Sequence, residues 1–168
     1  MKKVIAIVMA LSMLLCGTAL AEVKLGQVDY AAHGDKCFAV ITAAVDGDTI
    51  VGAIIDEFQF MAPDGAVGVP NSDKGFGESY PEGKVLISKR ANNELYSGNM
   101  ATKAGATTML ADGYKAIEDY CTGKTIAELE EILAGTEPTA MVDAVTGCTL
   151  VDTYGYVSGI LEAAKAAQ

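Results

Sequence analysis

Residues 37 to 61 read CFAVITAAVDGDTIVGAIIDEFQFM. Two apolar runs rich in β-branched and aromatic residues, Cys37 to Val45 and Thr49 to Met61, flank Asp46-Gly47-Asp48. Runs of this kind favour extended backbone, and a short Asp/Gly joint turns the chain with the twist a hairpin requires, so the stretch predicts two antiparallel strands. Its far end is less regular, with Asp56, Phe58 and Phe60 alternating with Glu57, Gln59 and Met61. That pattern reads as a region near a ligand or, more simply, as a strand edge meeting solvent.

Working outward, Ala62 to Gly83 carries Pro63, Pro70 and Pro81 with Gly65, Gly68, Gly75, Gly77 and Gly83, and predicts a long surface connection, functional or mobile. "KVLISKR", Lys84 to Arg90, predicts another strand, with Lys89 and Arg90 a solvated strand end able to meet a phosphate. From Thr107 the period becomes helical. Met109, Leu110, Gly113, Tyr114 and Ile117 share one stripe that ends near Cys121 to Gly123. Thr125 and Glu128 have the spacing of a capping box, opening a short helix that Gly135 closes. Pro138 then breaks the chain before "AMVDAV", expected to be a short strand or extended segment. A last helix is expected from about Leu150 to Ala167, with Val151, Tyr154, Val157, Ile160 and Leu161 as its apolar face. Strands first and helices after define an α+β class, an antiparallel sheet with C-terminal helices packed on it.

The chain has 168 residues and is 51% hydrophobic, enough for one compact core. Part of that apolar content stands in Met1 to Ala21, where Lys2 and Lys3 precede the run Val4 to Leu15 and a small-residue stretch Ala19-Leu20-Ala21. This is the pattern of an export leader, so the expected organisation is a signal peptide over 1–21 and a single domain over 22–168. The apolar run is short for a membrane anchor. Lipid attachment at Cys16 ranks second, because Leu15 stands where a small residue is expected.

Loss of Lys2 and Lys3 reduces the 12 basic residues to 10 against 22 acidic ones, a formal charge of −12. A surface so acidic repels nucleic acid and bare anionic membrane, and excludes nucleic-acid binding as a function class. Cys37, Cys121 and Cys148 remain beyond the leader; an odd number in an exported chain implies a free thiol, an intermolecular bridge or a reducing habitat. With His33 the only histidine and no CxxC pair, a Cys/His metal centre lacks its ligands. His33 and Cys37 stand close in the chain but assemble no hydrolytic triad.

Two segments echo one another. "GATTMLADGY", Gly105 to Tyr114, and "GCTLVDTYGY", Gly147 to Tyr156, share Gly, Thr and Gly-Tyr at matching offsets, with the tyrosine two helical turns after the threonine. They predict two similar turn-to-helix junctions facing a common core or site. In the second, glycine permits close backbone approach, threonine supplies a hydroxyl and the first helical turn offers free N–H groups. Such a junction can seat a phosphate, or Thr146 or Thr149 can simply cap the helix.

Asp143-Ala144-Val145-Thr146-Gly147-Cys148-Thr149 resembles the flavinylation motif of the FMN-binding domain family: aspartate, two variable residues, Ser or Thr, Gly, usually Ala, then Ser or Thr. Thr146, Gly147 and Thr149 match, and Cys148 replaces the usual alanine with another small, apolar side chain. The likeness extends loosely over Lys24 to Ala164. It implies FMN carried as a phosphoester on Thr149, installed by a flavin transferase. It also implies an exported, extracellular, cell-surface or periplasmic electron carrier, more a relay than a stand-alone catalyst, working with membrane or surface redox proteins. Asp143 would orient the Thr149 hydroxyl, bind a metal during modification or form a turn. "ATKAGATT" has Ala101 where the aspartate belongs, so Thr107 is expected as a helix cap or flavin contact. Tyr114, Tyr154 and Tyr156 have the size to pack the core or to stack on the ring. Met100 and Met109 read as core. The competing class is an exported, non-redox module that binds a ligand or protein through its acidic face and long loop.

Overall fold

The computed structural model describes residues 22–34, 36–72 and 80–168. The expected leader lies outside them, as does part of the long connection. The predicted hairpin forms, with β2 (Cys37–Asp46) paired to β3 (Thr49–Met61) in antiparallel register from Asp46↔Thr49 to Cys37↔Gln59. Gly47, at φ +64°, takes the first position of the two-residue turn, where the mirror-image hairpin turns demand a positive φ.

Two further strands complete the sheet. β1 (Lys24–Tyr30) pairs with β2 and β4 (Val85–Ser88) with β3, giving an antiparallel meander in the order β1-β2-β3-β4. The helices are α1 (Asn93–Ala104), α2 (Leu110–Cys121), α3 (Ile126–Gly135), the single-turn α4 (Met141–Ala144) and α5 (Thr153–Ala166). α5 lies across β1 and β2, α2 packs on β3, and α3 contacts α5. The molecule is an α+β fold with one face of the sheet covered.

Strand parity sorts the side chains. Ala39, Ile41, Ala43 and Val45 of β2 point under the helices and are buried, as are Ile50, Ile55 and Ile87. The opposite face carries Leu25, Phe38, Ile54 and Phe60, all exposed. β1 lies so near α5 that a Cβ on Gly26 would stand 2.0 Å from the Ala163 carbonyl oxygen. Only glycine permits that approach.

Several expectations hold in detail. The α2 stripe buries Leu110, Gly113, Tyr114 and Ile117, and continues through Glu118 to Cys121. Thr125 and Glu128 form the capping box reciprocally, and α3 ends at Gly135. Others are corrected. "AMVDAV" is no strand: a 3₁₀ turn over Pro138–Ala140 leads into α4, because Met141 and Val145, four residues apart, bury together on one helical side. The last helix starts at Thr153, not Leu150, and Val151, 78% exposed, lies outside its apolar face. Met109 is exposed at the head of α2 and is not core. The start of the long connection is fastened: Val67 donates its N–H to Asn92 Oδ1 at 2.7 Å, and Asn92 Nδ2 donates back to the Val67 carbonyl.

Candidate functional site

The echoed junctions meet. Tyr114 of α2 and Tyr156 of α5 pack edge to face, ring centroids 5.2 Å apart, and both donate their hydroxyls to Glu57 Oε2, at 3.3 and 3.0 Å. Glu57 is fully buried because it shares strand parity with Ile55 and so turns inward. The same rule buries Lys89, two residues beyond Ile87, against the expectation of a solvated strand end. The Lys89 ammonium donates to Glu57 Oε2, lies 3.6 Å from Cys37 Sγ and sits 4.7 Å from the centre of the Tyr96 ring. Glu57 Oε1 is buried with no hydrogen-bond partner among the described residues. A fully buried ion pair with an orphaned oxygen costs free energy, the kind of local expense that marks a functional site.

Electrostatics follow from burial. Removal from water works against the Lys89 ammonium, but the charge and hydrogen bond of Glu57 outweigh it, so its pKa lies above the ordinary lysine value. Burial, reinforced by the negative Glu57, pushes the Cys37 thiol up, which makes it a poor nucleophile. Burial and then the neighbouring acidic groups hold Tyr114 and Tyr156 protonated far beyond the normal tyrosine range. Arg90 is no solvated strand end either: its Nε donates to the Ile55 carbonyl at 2.8 Å, its guanidinium pairs with Glu118, and it lies 5.5 Å from the Tyr114 ring.

Above this cluster opens a cleft of about 430 Å³, lined by both threonine turns. Thr107 and Thr149 stand exposed on its wall, with Met100, Leu110 and Leu150 as apolar surface, Tyr96 and Tyr156 as rings and Lys89 in the lining. His33 and Asp152 pair on the same lining. A smaller hollow beside it, lined by Lys36, Cys37 and Gln59, shares His33 and Tyr96.

Neither threonine caps a helix. The Leu110 and Ala111 N–H groups that open α2 donate to Ser97 Oγ and Asn93 Oδ1 of α1, each at 2.9 Å, so Thr107 is displaced from the capping role. Thr149 is four residues short of α5, whose N-cap is Asp152. Cys148 turns inward, where its sulfur accepts the Leu150 N–H at 3.4 Å and lies 3.2 Å from Thr153 Oγ1. With Gly147 at φ +88° before it, this fold of the chain presents Thr149 outward.

Of the residues singled out in the sequence, Thr149, Thr107 and Tyr156 come together in the cleft. Thr146 and Gly147 line a different hollow, beside Lys115 and Asp119 of α2. Asp143 is exposed on α4 and is not part of the cleft lining. Glu57 and Tyr96 were not singled out, and Lys89 was read as a solvated strand end able to meet a phosphate; the parity of Glu57 with Ile55 and of Lys89 with Ile87 was the available clue.

An FMN group fits these residues. Apolar walls and two aromatic side chains suit a planar ring, the cleft volume lies in the range of small-molecule sites, and Thr149 would hold the phosphoester at its exposed hydroxyl. Among the described residues no group of His, Cys, Asp and Glu could hold a metal ion, and no helix is long and apolar enough to cross a membrane.

Fold and cleft define a two-layer α+β protein with a cleft between two helix junctions. No protein-family model, curated protein or solved structure matches this chain.

Proposed function

We propose that the protein is an exported flavoprotein that carries FMN on Thr149 through a phosphoester and passes electrons outside the cytoplasm. The observation that carries this reading is the position of Thr149: the residue that matches the family motif is exposed on the wall of a largely apolar cleft, unused as a helix cap, and Thr107 shares that lining. The flavin supplies the redox chemistry; the chain's residues hold it, shield one side and set the local charge. A flavin transferase is the partner for attachment, and membrane or surface redox proteins are the partners for electron exchange. Covalent attachment suits an export role, because cofactor lost outside the cell is not readily replaced.

The test is intact mass of the chain produced with an active flavin transferase in an export-competent host, followed by peptide mapping of Thr146 to Tyr156. An FMN adduct on Thr149 is expected. An unmodified peptide, from cells that flavinylate another target, would sink the reading.

A non-redox binding module is the second reading, favoured by the uncovered sheet face, where Leu25 is 71% and Ile54 61% exposed. A colourless protein that holds its partner equally well after Thr149→Ala would put that reading first.

A further inference from the structure

The Glu57–Lys89 pair is oriented. Lys89 contributes to the lining of the cleft, whereas Glu57 does not and lies fully buried behind it. Its one partnered oxygen, Oε2, also accepts the hydroxyls of Tyr114 and of Tyr156, whose ring joins the cleft lining. The cleft therefore faces the positive end of a buried dipole. The other ionisable groups on the cleft lining, His33 and Asp152, are partly exposed and paired with each other, so water and that pairing mute them. Lys89 is shielded from solvent and acts through a medium of lower dielectric, where a unit charge is felt more strongly.

Resting on the flavin reading above, we propose that Lys89 is the charge-setting residue of the cleft, stabilising the negative charge that a bound isoalloxazine gains on reduction. Uptake of two electrons and one proton leaves the ring with one net negative charge, the electrons coming from an external low-potential reductant. Lys89 favours that anionic form over the neutral oxidised one and raises the midpoint potential. Glu57 keeps the ammonium charged, since burial alone would strip its proton. The orphaned Glu57 Oε1 is the stability given up for holding this charge away from water.

The experiment is a dithionite titration, followed by visible absorbance, of flavinylated wild type, Lys89→Met and Lys89→Arg. Lys89→Met is expected to lose at least tenfold in preference for the reduced ring, a fall of about 30 mV for a two-electron couple. Lys89→Arg, which keeps the charge, is expected to stay near wild type. Should Lys89→Met fail to fold, the double variant Lys89→Met with Glu57→Gln removes both charges at nearly constant volume and is read the same way, with a fall again expected. An unchanged potential in the methionine variants overturns the proposal, and so does an equal fall in Lys89→Arg, which would make shape the cause. Wild type that acquires no flavin overturns the flavin reading together with this one. Flavinylated wild type whose potential ignores Lys89 overturns this one alone.

Discussion

The junctions at 105–114 and 147–156 are alike in sequence and end in tyrosines that share one carboxylate oxygen, yet they are held in different ways. The first is braced from outside: Asn93 and Ser97 of α1 satisfy the opening N–H groups of α2. The second braces itself, through the inward Cys148 sulfur and the Thr153 hydroxyl, which donates to the Leu150 carbonyl. Both solutions release a threonine from capping duty and leave it on the cleft wall. Pattern similarity thus preserved the presentation of a hydroxyl while the supporting contacts diverged.

The comparison breaks most sharply at the hydroxyls. On the flavin reading proposed above, Thr149→Ala is expected to prevent an FMN adduct, whereas Thr107→Ala keeps it; intact mass distinguishes the two, and loss of the adduct in both would mean that the junctions share attachment. Next in size is Glu57→Ala, which unties both tyrosines and leaves Lys89 buried without a counter-charge. A loss of about 3–5 kcal/mol in urea unfolding is expected, and a loss under 1 kcal/mol would show that the pair is not desolvated as described.

Alkali tests both junctions at once. Tyr114, Tyr156, Lys89 and Cys121 all have folded-state pKa values raised above their ordinary ones, Cys121 to about 12. In each case the unfolded chain gives up its proton first as pH rises, so their stabilisation is complete below about pH 9 and declines above it. Thermal midpoints that stay flat from pH 8 to 11 would contradict this.

Smaller effects separate the two sides. Tyr156→Phe is expected to cost about 1.5–3 kcal/mol, the range for a hydrogen bond to a charged group, and Tyr114→Phe, with the longer contact, less. Because they share Oε2, the double variant should cost less than the sum. Equal and additive losses would make the two junctions independent. Smallest are the braces themselves: Ser97→Ala is expected to cost about 1 kcal/mol and to raise amide exchange at Leu110, while Cys148→Ala does the same at Leu150. Exchange that spreads from either site to the other junction would remove the distinction drawn here.

What could be read in the sequence was what local chemistry decides. The Asp46-Gly47-Asp48 turn between β-rich runs, the Thr125–Glu128 box and the α2 stripe each specify their own backbone, and each formed as expected. β1 was missed because Gly26 and the polar Gln27 and Asp29 interrupt an edge strand that exists through its pairing with β2. α1 was missed because its apolar residues, Leu95, Tyr96 and Met100 with two alanines, form no continuous stripe, and its one buried residue is Ser97. The charged floor of the cleft was missed for a third reason. Charged residues in a strand usually mark the wet face, and only the register of β3, set by its neighbours, turns Glu57 inward opposite Ala39. Of the cleft lining, the motif had pointed to Thr149 and the echo to Thr107 and Tyr156; strand parity hinted at Lys89 and Glu57, and their pairing needed tertiary structure.

The near contact of Gly26 with Ala163 has a consequence in time. β1, at one end of the described chain, takes its cover from α5, at the other. Contacts between such distant segments slow folding, because the loop-closure entropy is paid before the contact forms.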